Sequence, residues 1–107
     1  MNKLAIIIPL LLLGTVSGAH AEMDRLQFAD LGGIRDFRVD GDNGIYIEGR
    51  NRQWYHADFY APCYDLRFHE HVGFVLELNG DLDRFSSILV GGQQCYFKSF
   101  ERSDKPD

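Results

Sequence analysis

The part of the sequence from Ile34 to Phe100 consists of short apolar or alternating runs, separated by turn-forming residues roughly every ten positions. Such runs are typical of strands in a small all-β domain. The expected strands are Arg35–Asp40, Ile45–Ile47, Gln53–Tyr60, Val72–Leu78, Phe85–Val90 and Cys95–Phe100. Because strands adjacent in sequence usually pair antiparallel, we expect a strongly bent sheet of five to six strands, closing toward a small barrel or sandwich. A sheet with the N-terminal segment packed on it as a helix is the alternative.

Residues that tolerate positive φ mark the turns between these runs. They occur at Asp40–Gly44, Gly49–Arg52, Asn79–Asp81 and Gly91–Gly92. Pro62 ends the third strand because proline cannot donate a backbone hydrogen bond to the ladder. We expect one short helical turn after it, over Cys63–Arg67.

The two ends of the domain have weaker patterns. Glu22–Gly33 predicts a short helix or an irregular arm, in which Leu26, Phe28 and Leu31 dock against the domain. Glu101–Asp107 is polar and is expected to be a frayed tail.

The first 21 residues have the three parts of a secretory signal peptide. Lys3 supplies a positive n-region, Leu4–Leu13 an apolar h-region, and Ala19–Ala21 a small-x-small cleavage site. A membrane anchor is the alternative, but an apolar helix of about ten residues rises only about 15 Å, against a hydrocarbon core of about 30 Å. We therefore expect cleavage after Ala21 and a periplasmic or secreted protein without an integral membrane segment.

Cleavage would leave 86 of the 107 residues, near the size at which a core alone is marginal. We expect one small β domain over 22–107, with its core at 34–100 and the polar tail at 101–107. Cys63 and Cys95 both lie in this part, and an even pair in an exported protein is most simply a disulfide. Closing the loop between Cys63 and Cys95 would stabilise the folded domain by about 3.5–4 kcal/mol. Free thiols or an intermolecular bond are the alternatives.

The acidic balance restricts the partners. The net charge is −5 at pH 7, and it becomes more negative by one when Lys3 is lost. Nucleic acid and anionic membrane surfaces are therefore poor partners. A cationic partner is electrostatically favoured, although a modest negative charge often serves only solubility. We expect an unknown protein or small ligand of the cell envelope as partner; the sequence does not define an oligomeric state.

Five short motifs occur together in this chain: Ile34-x-x-Phe37, Trp54-Tyr55, Pro62-Cys63-x-x-Leu66, Leu82-Asp83-Arg84-Phe85 and Cys95-x-Phe97-x-Ser99. In combination they resemble a family of small exported bacterial proteins known only as a domain of unknown function. The resemblance covers about Ile34–Phe100. It implies export and paired cysteines, and it implies no activity and no catalytic residue.

The outer face of the Gln53–Tyr60 strand is the candidate ligand-binding surface. Alternation places Tyr55, Ala57 and Phe59 toward the core. The opposite face carries Trp54, His56, Asp58 and Tyr60, with Tyr46 adjacent on the preceding strand. Aromatic side chains interleaved with polar ones suit recognition because they provide much contact area at little rotamer cost. The competing interpretation is that Trp54 packs under the N-terminal arm.

The most metal-like feature is His69-Glu70-His71, because imidazoles at i and i+2 of a strand project to one face. His56 and Asp58 are candidate further ligands. No standard zinc spacing is present, so solvated or structurally hydrogen-bonded histidines are the favoured interpretation. We expect no cofactor.

No motif for nucleophilic catalysis is present, since the chain lacks a Gly-x-Ser-x-Gly elbow and a Gly-rich phosphate loop. We therefore expect a non-enzymatic binding or envelope-associated accessory protein. An inhibitor of a cationic hydrolase such as a lysozyme is the first alternative, because acidic charge would steer that encounter. A metal-binding periplasmic protein and a small hydrolase are further alternatives.

Overall fold

The computed structural model describes residues 24–107, so the expected signal peptide lies outside the described residues. The strands are β1 (Ile34–Asp40), β2 (Gly44–Gly49), β3 (Trp54–Phe59), β4 (Gly73–Val75), β5 (Ser87–Val90) and β6 (Gln93–Ser103). Single 3₁₀ turns occupy Ala29–Leu31 and Leu66–Phe68. Between residues 24 and 107, no helix has the length and apolar character needed to cross a membrane.

All six strands form one antiparallel sheet, in the order β1-β2-β3-β6-β5-β4. Strand β6 belongs to both halves of this sheet, because Gln93–Tyr96 pairs with β5 and Phe97–Ser103 pairs with β3. The β3–β6 register shifts where Asp58 and Phe59 meet β6, which leaves Lys98 as an extra residue. A bulge of this kind bends a strand and increases its twist.

The bend curls the sheet into a half-barrel. The terminal strands of the sheet order approach each other across the concave side, where the rings of Phe37 and Phe74 meet edge to face with centroids 6.3 Å apart. The expected mainly-β, strongly bent antiparallel sheet is confirmed.

Inward side chains of the strands fill the concave side and form the core together with residues of the connecting segments. Its buried members include Ile45, Ile47, Tyr55, Ala57, Phe59, Leu66, Leu82, Ile88, Val90, Phe97 and Phe100. Tyr55 stacks on Phe100 with ring centroids 5.0 Å apart, and Phe100 stacks in turn against Phe97 at 6.0 Å. Burying each such aromatic ring removes roughly 150–250 Å² from water, so this stack is a large part of the core.

The N-terminal segment is an irregular arm with one 3₁₀ turn. Leu26 is buried and exchanges two backbone hydrogen bonds with Leu82, at 2.8 and 2.9 Å. The expectation that Phe28 and Leu31 also dock is wrong, because both are exposed. Phe28 has left-handed backbone at φ 57°, and the turn that follows buries Ala29 instead.

Cys63 and Cys95 form the expected disulfide, with Cα atoms 5.7 Å apart. Cys63 follows β3, and Cys95 lies in the part of β6 that pairs with β5. The bond therefore ties the loop after β3 to the other half of the sheet.

Two expected strands are shorter than the alternation predicts. Strand β4 ends at Val75, because the chain turns where the Gly80 amide donates to the Glu77 carbonyl at 2.8 Å, and Leu78 is left fully exposed. Strand β5 begins at Ser87 rather than Phe85, because the preceding residues form a turn instead.

The helical turn after β3 and the C-terminal tail also differ from the boundaries expected from the sequence. The helical turn expected over Cys63–Arg67 is a 3₁₀ turn at Leu66–Phe68. The expected frayed tail is wrong for Glu101–Ser103, because these residues continue β6 and pair with β3.

Candidate functional site

On the outer face of β3, His56 lies in a compact polar cluster. Its Nε2 is 2.8 Å from the Asp40 Oδ2, and its Nδ1 is 3.9 Å from the Asp58 Oδ1. The neighbouring strand places Tyr46 beside it, with ring centroids 4.5 Å apart. The His56 ring is thus held between two carboxylates and the ring of Tyr46.

This polar cluster does not have the geometry of a nucleophile and its base. The Ser99 hydroxyl donates to the Asp58 carboxylate at 3.4 Å. A serine nucleophile needs an imidazole nitrogen within hydrogen-bond reach. Both nitrogens of His56 face carboxylates instead, so the arrangement holds His56 in place rather than activating Ser99.

Trp54 is buried although it lies on the same outer face of β3. Only 5% of its surface is exposed, and the Arg38 guanidinium lies over the indole ring, 5.6 Å from the ring centroid. Arg38 also donates to the carbonyl of Pro106 at 3.3 Å, which brings the C-terminal tail to the same place. A buried ring offers no contact area to a ligand, so Trp54 belongs to the packing of this face.

The structure does not bring the predicted metal ligands together. His56 is engaged with Asp40, whereas His69 packs against Gly91 and His71 is exposed. Among residues 24–107, no group of three or more His, Cys, Asp or Glu side chains is placed to hold a metal ion.

Tyr60, the last residue of the predicted face, lines a surface pocket of about 320 Å³. Two further exposed aromatic residues, Phe85 and Tyr96, line the same pocket. All three are largely exposed, at 73%, 68% and 56% respectively. Buried Ser86 and Phe97 complete the lining together with Arg84, whose guanidinium lies 4.7 Å from the centroid of the Phe85 ring. We call this site the aromatic pocket.

The bulge in β6 is what assembles the pocket. Just beyond it, the Tyr60 amide donates to the Tyr96 carbonyl at 3.2 Å, which sets the two tyrosines side by side. Ser86 accepts a backbone hydrogen bond from Phe97 at 3.1 Å, so the turn that carries Phe85 is fastened to the same stretch of β6.

A tight turn presents Phe85 to the solvent. The Asp83 carboxylate accepts from the Phe85 amide at 2.9 Å, and the Asp83 amide donates to the Ser86 hydroxyl at 3.0 Å. The two hydrogen bonds of Asp83 fix the backbone under Phe85, so the exposed ring is held by an ordered turn.

The Asp83 carboxylate also affects the nearby Glu77 carboxyl. Burial raises the pKa of Glu77 above its ordinary value, and the negative charge of Asp83 raises it further.

The disulfide braces the same region. Cys95 immediately precedes Tyr96, and Cys63 follows Tyr60 by three residues. The bond thus joins the two segments that carry the tyrosines, and it limits how far these walls can separate.

A family model described as a family of unknown function (DUF6491) matches residues 3–106. The chain belongs to this family. The resemblance to a domain of unknown function is thereby confirmed, and the DUF6491 match extends beyond the expected Ile34–Phe100. No curated protein and no solved structure gives a significant match to the chain.

Sequence reasoning found one wall of the aromatic pocket in this DUF6491 chain and missed the others. Tyr96 was detectable, because it lies between the inward Cys95 and Phe97 and must point outward. Phe85 was not, since alternation extended the strand back through it. The Asp83 cap that turns the chain there gives only a weak sequence signal.

Other concavities also occur in the described residues. One of about 310 Å³ lies between the N-terminal arm and the β2–β3 turn, and it is lined by Phe28, Arg50 and Tyr55 among others. Another, of about 590 Å³, follows the C-terminal tail beside Arg38 and Tyr46. The aromatic pocket differs from both because three exposed aromatic side chains form its walls.

Proposed function

We propose that the protein is an exported, non-enzymatic binding protein whose ligand occupies the aromatic pocket. The observation that carries this proposal is the grouping of Tyr60, Phe85 and Tyr96, each more than half exposed, around one cavity. A cavity lined mainly by hydrophobic and aromatic side chains is typical of small-molecule sites. Tyrosine and phenylalanine give large contact area with few rotamers to immobilise.

Export is supported by two features. The first 21 residues have the pattern of a secretory signal peptide. The Cys63–Cys95 disulfide fits an oxidising compartment. We therefore place the working protein in the periplasm or outside the cell.

Intact-mass analysis of protein recovered from producing cells tests the export. The expected N-terminus is Glu22, because Ala19–Ala21 is the small-x-small cleavage site. Full-length chain in the inner-membrane fraction would contradict the proposal.

Binding is tested by titrating the isotope-labelled protein with fractions of an envelope extract and following its backbone amide resonances. Saturable shifts are expected at Tyr60, Phe85 and Tyr96, and they should be lost in Phe85→Ser. The matched control is Phe68→Ser, because Phe68 is equally exposed, carries Arg67 over its ring and lies outside the pocket. Shifts that map elsewhere, or that both variants lose equally, would refute the pocket as the site.

An inhibitor of a cationic hydrolase is the second candidate. It is favoured by the outer face of the sheet around His56, where β3 pairs with β2 and β6. Exposed carboxylates of Asp40, Asp58 and Glu101 surround His56 there. Acidic side chains accelerate encounter with a basic enzyme, and salt weakens the effect. Salt-sensitive inhibition of a lysozyme that Asp40→Asn reduces, and Phe85→Ser leaves intact, would select this candidate over the pocket.

A further inference from the structure

We propose that the aromatic pocket recognises a single planar apolar ring that carries a carboxylate, with Arg84 as the group that reads the charge. This deepens the proposed function and rests on it.

The charge of the lining is unlike that of the rest of the chain. The sequence has 16 acidic and 11 basic residues, yet the lining of the pocket contains no carboxylate and one arginine. An anionic group would meet repulsion over much of this acidic protein, and here it meets a cation. The pocket is therefore electrostatically suited to an anionic ligand.

The guanidinium of Arg84 is available for that ligand. Within residues 24–107 it takes part in none of the salt bridges, and its contact is with the ring of Phe85 at 4.7 Å. A guanidinium matches the two oxygens of a carboxylate in a bidentate pair. A phosphate monoester carries nearly two charges at neutral pH, which one arginine compensates only in part.

The walls determine the apolar part of the ligand. Tyr60, Phe85 and Tyr96 line the pocket, and aromatic side chains pair with a planar ring by stacking or by edge-to-face contact. The volume of about 320 Å³ is at the small end for ligand sites, and it accommodates one ring with its substituents. The tyrosine hydroxyls can donate to polar atoms at the edge of that ring.

The ligand chemistry has two sources, a free aromatic carboxylate or the C-terminal aromatic residue of a peptide. Phenylacetate represents the first and N-acetylphenylalanine the second. Each has a neutral partner of nearly equal shape, phenylacetamide and N-acetylphenylalaninamide. The four probes therefore separate the charge from the ring.

The test is an amide-resonance titration of the oxidised protein with these four probes. Each carboxylate should bind about tenfold more tightly than its amide, because a hydrogen bond to a charged group is roughly twice as strong as a neutral one. Arg84→Gln should remove this preference, because it should weaken carboxylate binding more than amide binding, and Arg84→Lys should keep part of it. The control is Arg67→Gln, because Arg67 also lies over a phenylalanine ring, at 4.9 Å from its centroid, but not at the pocket.

The relative affinity of the two carboxylates identifies the source. Tighter binding of phenylacetate supports a free acid, and tighter binding of N-acetylphenylalanine supports a peptide C-terminus. Equal binding of carboxylate and amide, or a preference that survives Arg84→Gln, would overturn the inference. If an envelope fraction still shifts Tyr60, Phe85 and Tyr96 in that case, the proposed function stands while the assignment of the ligand class fails.

Discussion

The two halves of the outer face differ in how their side chains are satisfied. Around β3, His56 is held by Asp40 and Tyr46, and Trp54 is buried beneath Arg38. Beyond the bulge in β6, the aromatic rings of the pocket face the solvent. In the first region the histidine and tryptophan rings contact neighbouring side chains, and in the second the aromatic rings remain open to a partner.

The comparison shows that facing outward is not the same as being accessible. Alternation assigns Trp54 and Tyr60 to the outer face of one strand. The pairing of β3 with β2 and β6 includes Trp54 and places it on the same face as His56, whereas Tyr60 follows the end of β3. Accessibility then depends on neighbours from distant parts of the chain. Arg38 lies over Trp54, whereas Tyr60 lies just beyond the bulge at Lys98 and lines a surface pocket.

Trp54→Ala should have the largest effect on stability and no effect on the aromatic pocket. Truncating a buried tryptophan costs about 3–5 kcal/mol, because it removes apolar burial and leaves a cavity. Urea denaturation of the oxidised protein measures the free energy of unfolding. Phe68→Ala is the control, and it should change that energy by less than about 0.5 kcal/mol because Phe68 is exposed. A loss of under about 1 kcal/mol for Trp54→Ala would return Trp54 to the accessible face.

Removing the disulfide should cost about 2–5 kcal/mol of unfolding free energy. Because the bond joins the segments of Tyr60 and Tyr96, Cys95→Ser should also weaken ligand binding in the pocket. It should shift the amide resonances of Tyr60 and Tyr96 more than that of His56. Cys63→Ser is the matched variant and should behave in the same way. If the amide resonances of His56 shift as much as those of Tyr96, the bond braces the whole sheet rather than the pocket.

Much of the fold was predictable from local pattern, and the pocket was predictable only in part. The period-two alternation of Tyr55, Ala57 and Phe59 correctly assigned the core side of β3, and the paired cysteines correctly assigned the disulfide. The pairing of β3 with β6 was not predictable, because these strands are separated by the whole of β4 and β5. The pocket lies at that non-local junction, which is why the sequence indicated Tyr60 without its neighbours.

Phe85→Ser should weaken ligand binding and leave stability nearly unchanged, which is the reverse of what we expect for Trp54→Ala. Phe85 is mostly exposed, so the substitution should change the free energy of unfolding by less than about 0.5 kcal/mol. If the ring anchors a ligand, binding should weaken by about 2 kcal/mol, and titration of each variant with the same probe measures this. Tyr64→Ser is a control exposed aromatic outside the pocket, and it should leave affinity unchanged. Equal loss in both variants would mean that exposed aromatics bind without a defined site.

His56→Gln should have the smallest of these effects, since a partly exposed contact between a histidine and a carboxylate contributes at most about 1 kcal/mol. The side chains of His56 and Asp40 are 24% and 49% exposed, so water screens their interaction. Asp40→Asn should cost a similar amount, and the double variant should cost less than the sum, because both substitutions remove the same contact. Ligand affinity at the aromatic pocket should not change, because His56 is not among the residues that line it. A marked loss of affinity in His56→Gln would show that the polar cluster and the aromatic pocket act as one site.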